Sequence, residues 1–201
     1  MISVIIVEDQ SLVRDAIATL LSLEDDISVV ATFENGAAAL EWLSDNQAPN
    51  IVLTDIEMPE MSGLELCEAI QAQGISTKTI IMTTFSKPGY IKRALSLGAL
   101  GFILKESDSH YLIQSLKSVM ENKRVIAPEL AIMALDDNNP LSEKESKALS
   151  LAADGLKTQD IASALFLSEG TVRNYLSEAI SKLDATNRVD AARIARQKGW
   201  I

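Results

Sequence analysis

The spacing of apolar and polar positions changes character once along this chain, near residue 140. Before that point, short apolar runs alternate with segments whose apolar residues recur every three or four positions. "SVIIVED" reads as a strand ending in acids, and "SLVRDAIATLLSL" as a helix. The pairs continue with "ISVVATF" and "NGAAALEWLSDN", "NIVLTD" and "SGLELCEAIQAQG", "TIIMTTF" and "GYIKRALSLG", and "GFILK" and "SHYLIQSLKSVMEN". Five strand-helix units in succession predict a parallel, doubly wound α/β sheet with helices on both faces. The flavodoxin-like order suits five units and puts the functional crevice at the carboxyl ends of the strands. This domain is expected to span residues 1–121. A linker is expected over 122–140, with a short helix from Pro128 and polar turn chemistry in "DDNNP".

From 141 to 201 the pattern is helical only, which predicts a small all-α domain. Ser142 and Glu145 form a capping box for a helix that Gly155 ends. Thr158, Ser168 and Asn187 stand where they can cap three more helices.

Charge sharpens this division. The net charge is −10, but residues 141–201 hold nine Lys or Arg against eight Asp or Glu, whereas the preceding 140 hold nine against twenty. The acidity belongs to the front domain, so the two domains are expected to have different partners. A lone cysteine, Cys67, has no internal disulfide partner and sits among Leu64, Leu66 and Ile70 as a small core residue. No apolar run is long enough for a membrane span, and "MISVIIVEDQ" is unlike a signal peptide, so a cytoplasmic location is expected.

The strand ends carry the chemistry. Strand one runs into Glu8 and Asp9, strand three into Asp55, strand four into Thr83 and strand five into Lys105. A doubly wound sheet brings these ends together. Clustered carboxylates repel unless a cation joins them, and oxygen-only donors with room for water suit Mg²⁺. One carboxylate could then act as a nucleophile toward a phosphoryl group, with Thr83 and Lys105 donating to its oxygens. Singly, each of these residues has an ordinary reading: a solvated strand end, a strand threonine, a surface lysine. His110 has no His or Cys partner in sequence and is read as a bystander, and Met58 and Met61 as loop packing.

As a set, "VED" at 7–9, "DIEMP" at 55–59, "TTF" at 83–85 and "GFILK" at 101–105 resemble the receiver domain of bacterial response regulators. The resemblance implies that Asp55 accepts phosphate from a sensor histidine kinase. It implies Mg²⁺ ligation by Asp9, Asp55 and the backbone carbonyl of Glu57, with Glu8 standing where many members have Asp. Thr83 becomes the switch hydroxyl and Phe102 the switch aromatic. Glu57 and Phe85 occupy positions that tune the lifetime of the phosphate. Glu106 replaces a proline found in many relatives.

The C-terminal segment resembles the LuxR-type helix-turn-helix domain, on "DIASAL", "LSEGTV", "KL" and "NR" together with Ala152 and Gly155. In the helix that "EGTVRNYLSEAISKL" predicts, Val172, Leu176, Ala179, Ile180 and Leu183 share an apolar face. Gly170, Arg173, Asn174, Ser177 and Ser181 share the opposite face, which would enter the major groove. Arg173 can reach guanine or phosphate, and Asn174 can pair with adenine. Thr171 suits a phosphate, and Lys157, Lys182 and Arg188 are candidates for backbone contact. Tyr175 stands where many relatives have histidine. A plain solvated helix face would show the same polar residues.

Together the two domains resemble NarL/FixJ-type response regulators. "LEDD", "DIEMP", "TTFSKPGY", "APEL", "RNY" and "KGW" resemble the DesR-like subfamily. The implied protein is a transcription factor rather than an enzyme. It would bind a double-stranded DNA operator and form a homodimer favoured by phosphorylation, with no membrane attachment. An Mg²⁺-dependent phosphotransfer enzyme and a phosphate-independent DNA-binding module are the rival readings. The helical domain weighs against the first, and the full set Asp9, Asp55, Thr83 and Lys105 against the second.

Overall fold

The computed structural model of the protein describes residues 1–84, 87–135 and 139–201. Two compact units are present, and the first ends at Leu135. It contains β1 (Ile2–Val7), α1 (Ser11–Ser22), β2 (Ile27–Phe33), α2 (Gly36–Asp45), β3 (Ile51–Thr54) and α3 (Gly63–Ala72). These are followed by β4 (Lys78–Thr83), α4 (Pro88–Ser96, counted in this unit from Ile91), β5 (Gly101–Leu104), α5 (Ser109–Met120), β6 (Val125–Ile126) and α6 (Pro128–Leu135).

The strands lie in the order β2-β1-β3-β4-β5-β6, and every pairing is parallel. A parallel sheet is covered on both faces, so its central strands can be apolar at every position. Successive residues of β1 therefore feed two cores. Val4 and Ile6 join Leu53, Ile103, Leu112 and Leu116 on the α1/α5 side. Ile5 and Val7 join Val52, Ala39, Leu66 and Ile70 on the α2/α3 side. Register places Val7 beside Thr54 and Ile81 beside Phe102, which levels the carboxyl ends of the middle strands.

The sheet has six strands where five were expected. Val125 and Ile126 pair with Gly101 and Phe102, and Ala127 N–H donates to the Phe102 carbonyl at 2.9 Å. Two residues have no detectable period, so the stretch reads as linker in sequence. Backbone bonding makes it a strand, and buried Ala127 and Leu130 anchor the start of α6 in this unit. The helix at Pro128 begins where the sequence places it, since proline needs no N–H in a first turn.

The second unit holds α7 (Glu143–Ala153), α8 (Thr158–Leu165), α9 (Glu169–Lys182) and α10 (Arg188–Lys198). Its core joins Leu149, Ile161, Val172 and Leu176 with Ala148, Ala179, Ala191 and Ala195, whose small side chains let the helices approach closely. The capping box of Ser142 and Glu145 is present, as are the Ser168 and Asn187 caps. Thr158 is not a cap. It is the first residue of α8, and Lys157 occupies the capping position with no side-chain bond. Gly155, at φ 89°, takes the left-handed conformation that ends α7.

Candidate functional site

Backbone bonds fix the acids at the ends of β1 and β3. Asp55 N–H donates to the Val7 carbonyl at 2.9 Å, and Glu8 N–H donates to the Phe33 carbonyl at 2.9 Å. Ile56 N–H donates to Asp55 Oδ1 at 2.7 Å, which leaves Oδ2 for other partners. Lys105, just past β5, extends its ammonium between the two strands. Its Nζ lies 2.6 Å from Glu8 Oε2 and 3.0 Å from Asp55 Oδ2. Glu8 is fully buried and Asp55 is 7% exposed, while Asp9 is open to solvent. Carboxylate oxygens of Glu8, Asp9 and Asp55 all fall within 4.8 Å of one another.

The charges do not balance within this cluster. One ammonium serves two buried carboxylates. Burial pushes the carboxyls of both Glu8 and Asp55 above their ordinary values, and Lys105 lowers them only in part. For Lys105 burial acts downward, yet the two carboxylates outweigh it and raise the ammonium, which therefore stays charged. The Lys105 ammonium, 2.6 Å away, is the positive charge that faces the buried Glu8 Oε2. An all-oxygen, under-neutralised donor set with one open edge at Asp9 fits a hard divalent cation.

Thr83 is buried at the end of β4, and Phe102 is wholly buried in β5. Glu57, two residues beyond Asp55, lies in the exposed turn after β3. Phe85 lies outside the described residues. His110 is exposed at the start of α5, apart from the acidic cluster. All described peptide bonds are trans, including the one joining Lys105 to Glu106.

Two residues that shape the site were not singled out from sequence. Gly63 opens α3 directly against the Asp55 loop, where an added Cβ would stand 1.9 Å from the Asp55 carbonyl oxygen. Its trace in sequence is a glycine at a helix start, where a glycine has no local reason to be. Arg14, on α1, donates its guanidinium to the Glu8 carbonyl and so ties the acidic loop to that helix. That contact leaves no signal in sequence, because it depends on how α1 docks.

On α9, Val172, Leu176, Ala179 and Leu183 are buried, and Arg173, Asn174 and Ser177 are exposed, so the helix has the expected two faces. Ile180 is half-buried. Arg188 stands exposed at the first position of α10. Thr171 is already engaged: its N–H donates to Ser168 Oγ at 3.1 Å, and the two hydroxyls lie 2.9 Å apart. Lys182, expected on the DNA side, instead binds within the fold. Its ammonium meets both oxygens of buried Glu145, at 2.9 and 2.8 Å. The sequence made Lys182 a candidate for contact with the DNA backbone, and packing of α7 against α9 brings a carboxylate to it.

Two family profiles match the chain. The response regulator receiver domain covers residues 4–117, and the luxR family of bacterial regulatory proteins covers 139–195. Over the full length of both chains, the protein is 44% identical to the uncharacterized transcriptional regulatory protein YvfU of Bacillus subtilis. It is 42% identical, again over all of both chains, to the transcriptional regulatory protein DesR of the same organism. Among solved structures, the two-component response regulator RcsB in complex with DNA matches with a TM-score of 0.67 at 25% identity, covering 98% of each chain. A cation-fitting acidic crevice on a doubly wound sheet, followed by a helix-turn-helix unit, is thus matched by sequence and by fold across the whole length, and the chain belongs to the NarL/FixJ-type, DesR-like two-component response regulators, with a receiver domain and a LuxR-type DNA-binding domain.

Proposed function

We propose that this protein regulates transcription when a sensor histidine kinase phosphorylates Asp55, and that phosphorylation favours a homodimer on a double-stranded DNA operator. The reading rests above all on the Asp55 carboxylate, held at a strand end with Oδ2 against Lys105 and beside Glu8 and Asp9. In the reaction an Asp55 oxygen attacks phosphorus. The bond from phosphorus to the kinase imidazole breaks as the new O–P bond forms, and the imidazole leaves with the electron pair. Glu8, Asp9, Asp55 and the Glu57 carbonyl are the groups that would hold Mg²⁺, whose charge would offset that of the incoming phosphoryl oxygens.

The chain's own residues do the rest. Lys105 exchanges its Asp55 contact for a phosphoryl oxygen, and the Thr83 hydroxyl moves to donate to another. Phe102 is buried in this structure, next along the register from Thr83's strand, so a shift of Thr83 changes the space available to it. That is a population shift between two packings, read out on the receiver's outer helices. Two receivers then bring two DNA-binding units together, and two weak half-sites give usable affinity. Arg173, Asn174 and Ser177 supply the exposed face for base edges, with Thr171 and Arg188 flanking it toward the phosphates. No described helix is long and apolar enough to cross a membrane. We place the protein in the cytoplasm on the regulator reading.

The test is labelling by acetyl phosphate with Mg²⁺, read by intact-protein mass spectrometry and followed by sedimentation. Asp55→Ala should lose the adduct and the dimer gain while keeping its circular dichroism. A Mg²⁺-dependent adduct at wild-type yield in that variant would overturn the assignment.

A further inference from the structure

The recognition helix carries no net charge. Within α9, Glu169 and Glu178 offset Arg173 and Lys182. Both cations also have partners inside the protein. Lys182 is held by Glu145, and Arg173 Nη2 lies 2.9 Å from Glu169 Oε2, one helical turn earlier. The second pair sits on the exposed face, with the Arg173 side chain 66% and the Glu169 side chain 48% exposed. A DNA-binding helix that leaves neither cation unpaired is poorly suited to unselective binding, which comes almost entirely from neutralising phosphates.

We infer that Glu169 is a specificity-determining residue that acts by positioning Arg173, and this rests on the reading that the exposed face of α9 meets DNA. Glu169 engages Nη2 only, so the guanidinium keeps donors on its other nitrogens for a base edge. Held in this way, the fork has less rotational freedom to lose when it meets guanine O6 and N7. The same carboxylate acts against binding wherever no such base is present. On a mismatched duplex Arg173 gains only a phosphate, and it must then share its charge with Glu169, while the carboxylate itself repels the backbone. Matched DNA therefore keeps the benefit of the orientation, and unmatched DNA meets the cost of the charge. Glu169 also lies in the first turn of α9, where a negative charge favours the helix, so the pair is compatible with local structure.

The experiment uses the full chain, phosphorylated with acetyl phosphate, and two duplexes. One is enriched from a random pool by the wild type, and the other is a shuffled sequence of equal composition. Glu169→Gln keeps the side-chain length and removes the charge. It should bind the shuffled duplex more tightly, steepen the salt slope by about 0.9, and reduce the matched-to-shuffled ratio at least threefold. A thermal melt confirms that the variant is folded. In an Arg173→Ala background the same substitution should change both duplexes equally. An unchanged ratio for Glu169→Gln, or the same fall in ratio without Arg173, would overturn the inference. If Arg173→Ala alone weakens neither duplex, the reading of the α9 face fails first, and the inference fails with it.

Discussion

Two regions of this molecule bury a glutamate almost completely and treat it in opposite ways. In the receiver, Glu8 is fully buried and its carboxyl is pushed above the ordinary value, chiefly by burial, as is that of its neighbour Asp55. In the helical domain, Glu145 is 6% exposed, yet its carboxyl lies below the ordinary value. Burial acts upward on it too, and is outweighed by Lys182 and by donors from Ser142. The difference lies in the count of donors. Glu145 has an ammonium to itself and accepts the Ser142 N–H at 2.8 Å within the capping box. Glu8 and Asp55 divide one ammonium between them. A buried carboxylate that is fully satisfied stabilises a fold, and one left short of positive charge is ready for a cation or an incoming group.

The largest effect should come from removing the shared ammonium. Lys105→Met leaves two buried acids unpaired and should lower receiver stability by about 3–5 kcal/mol in the absence of divalent cations. Asp55→Asn removes one of the competing acids instead and should raise stability. Each unit carries one tryptophan, Trp42 in the receiver and Trp200 in the helical domain, so Trp42→Phe and Trp200→Phe backgrounds let fluorescence follow each transition alone. A stable Lys105→Met receiver would mean that its acids are not short of charge.

Next in size is the segment after α5. Leu130 is 1% exposed, and truncating a buried leucine costs about 2–5 kcal/mol. Leu130→Ala should shift the Trp42 transition by that amount and leave the Trp200 transition in place. We therefore propose that the receiver fold extends past residue 121 to include β6 and the start of α6. An unshifted Trp42 transition would return this stretch to the linker.

In the helical domain, Lys182→Met strips Glu145 of its ammonium and should cost about 1–3 kcal/mol. The Trp200 transition reports it. A loss of DNA affinity with no loss of stability would instead give Lys182 a direct part in binding.

The smallest effect concerns pH. Glu145 has a lowered folded value, so its contribution is present above the ordinary 4.5 and is lost as the pH falls below it. Glu8 and Asp55 have raised folded values. Their ionisation is disfavoured in the folded state, so the receiver loses stability as the pH rises from the ordinary values through the raised ones. In melts of the two single-tryptophan proteins, as the pH is raised, the helical domain should therefore gain stability below about pH 4.5 and then level off, while the receiver should lose stability above about pH 4. Parallel shifts would remove the distinction between the two carboxylate environments.

The sequence by itself determined the division into two units, the parallel sheet and the convergence of Glu8, Asp9, Asp55 and Lys105. Those features follow from local period and strand-end position, which a linear reading can see. The two faces of α9 were legible for the same reason, since a 3.6-residue repeat separates Val172 and Leu176 from Arg173 and Asn174. The tertiary structure alone decided which charges meet. Only the docking of α1 sets Arg14 on the Glu8 carbonyl, and only the packing of α7 against α9 gives Lys182 to Glu145 across 37 residues of chain. The sixth strand belongs with these: Val125 and Ile126 have no strand signature of their own, and become a strand because the free edge of β5 offers hydrogen-bonding groups that a buried backbone must satisfy.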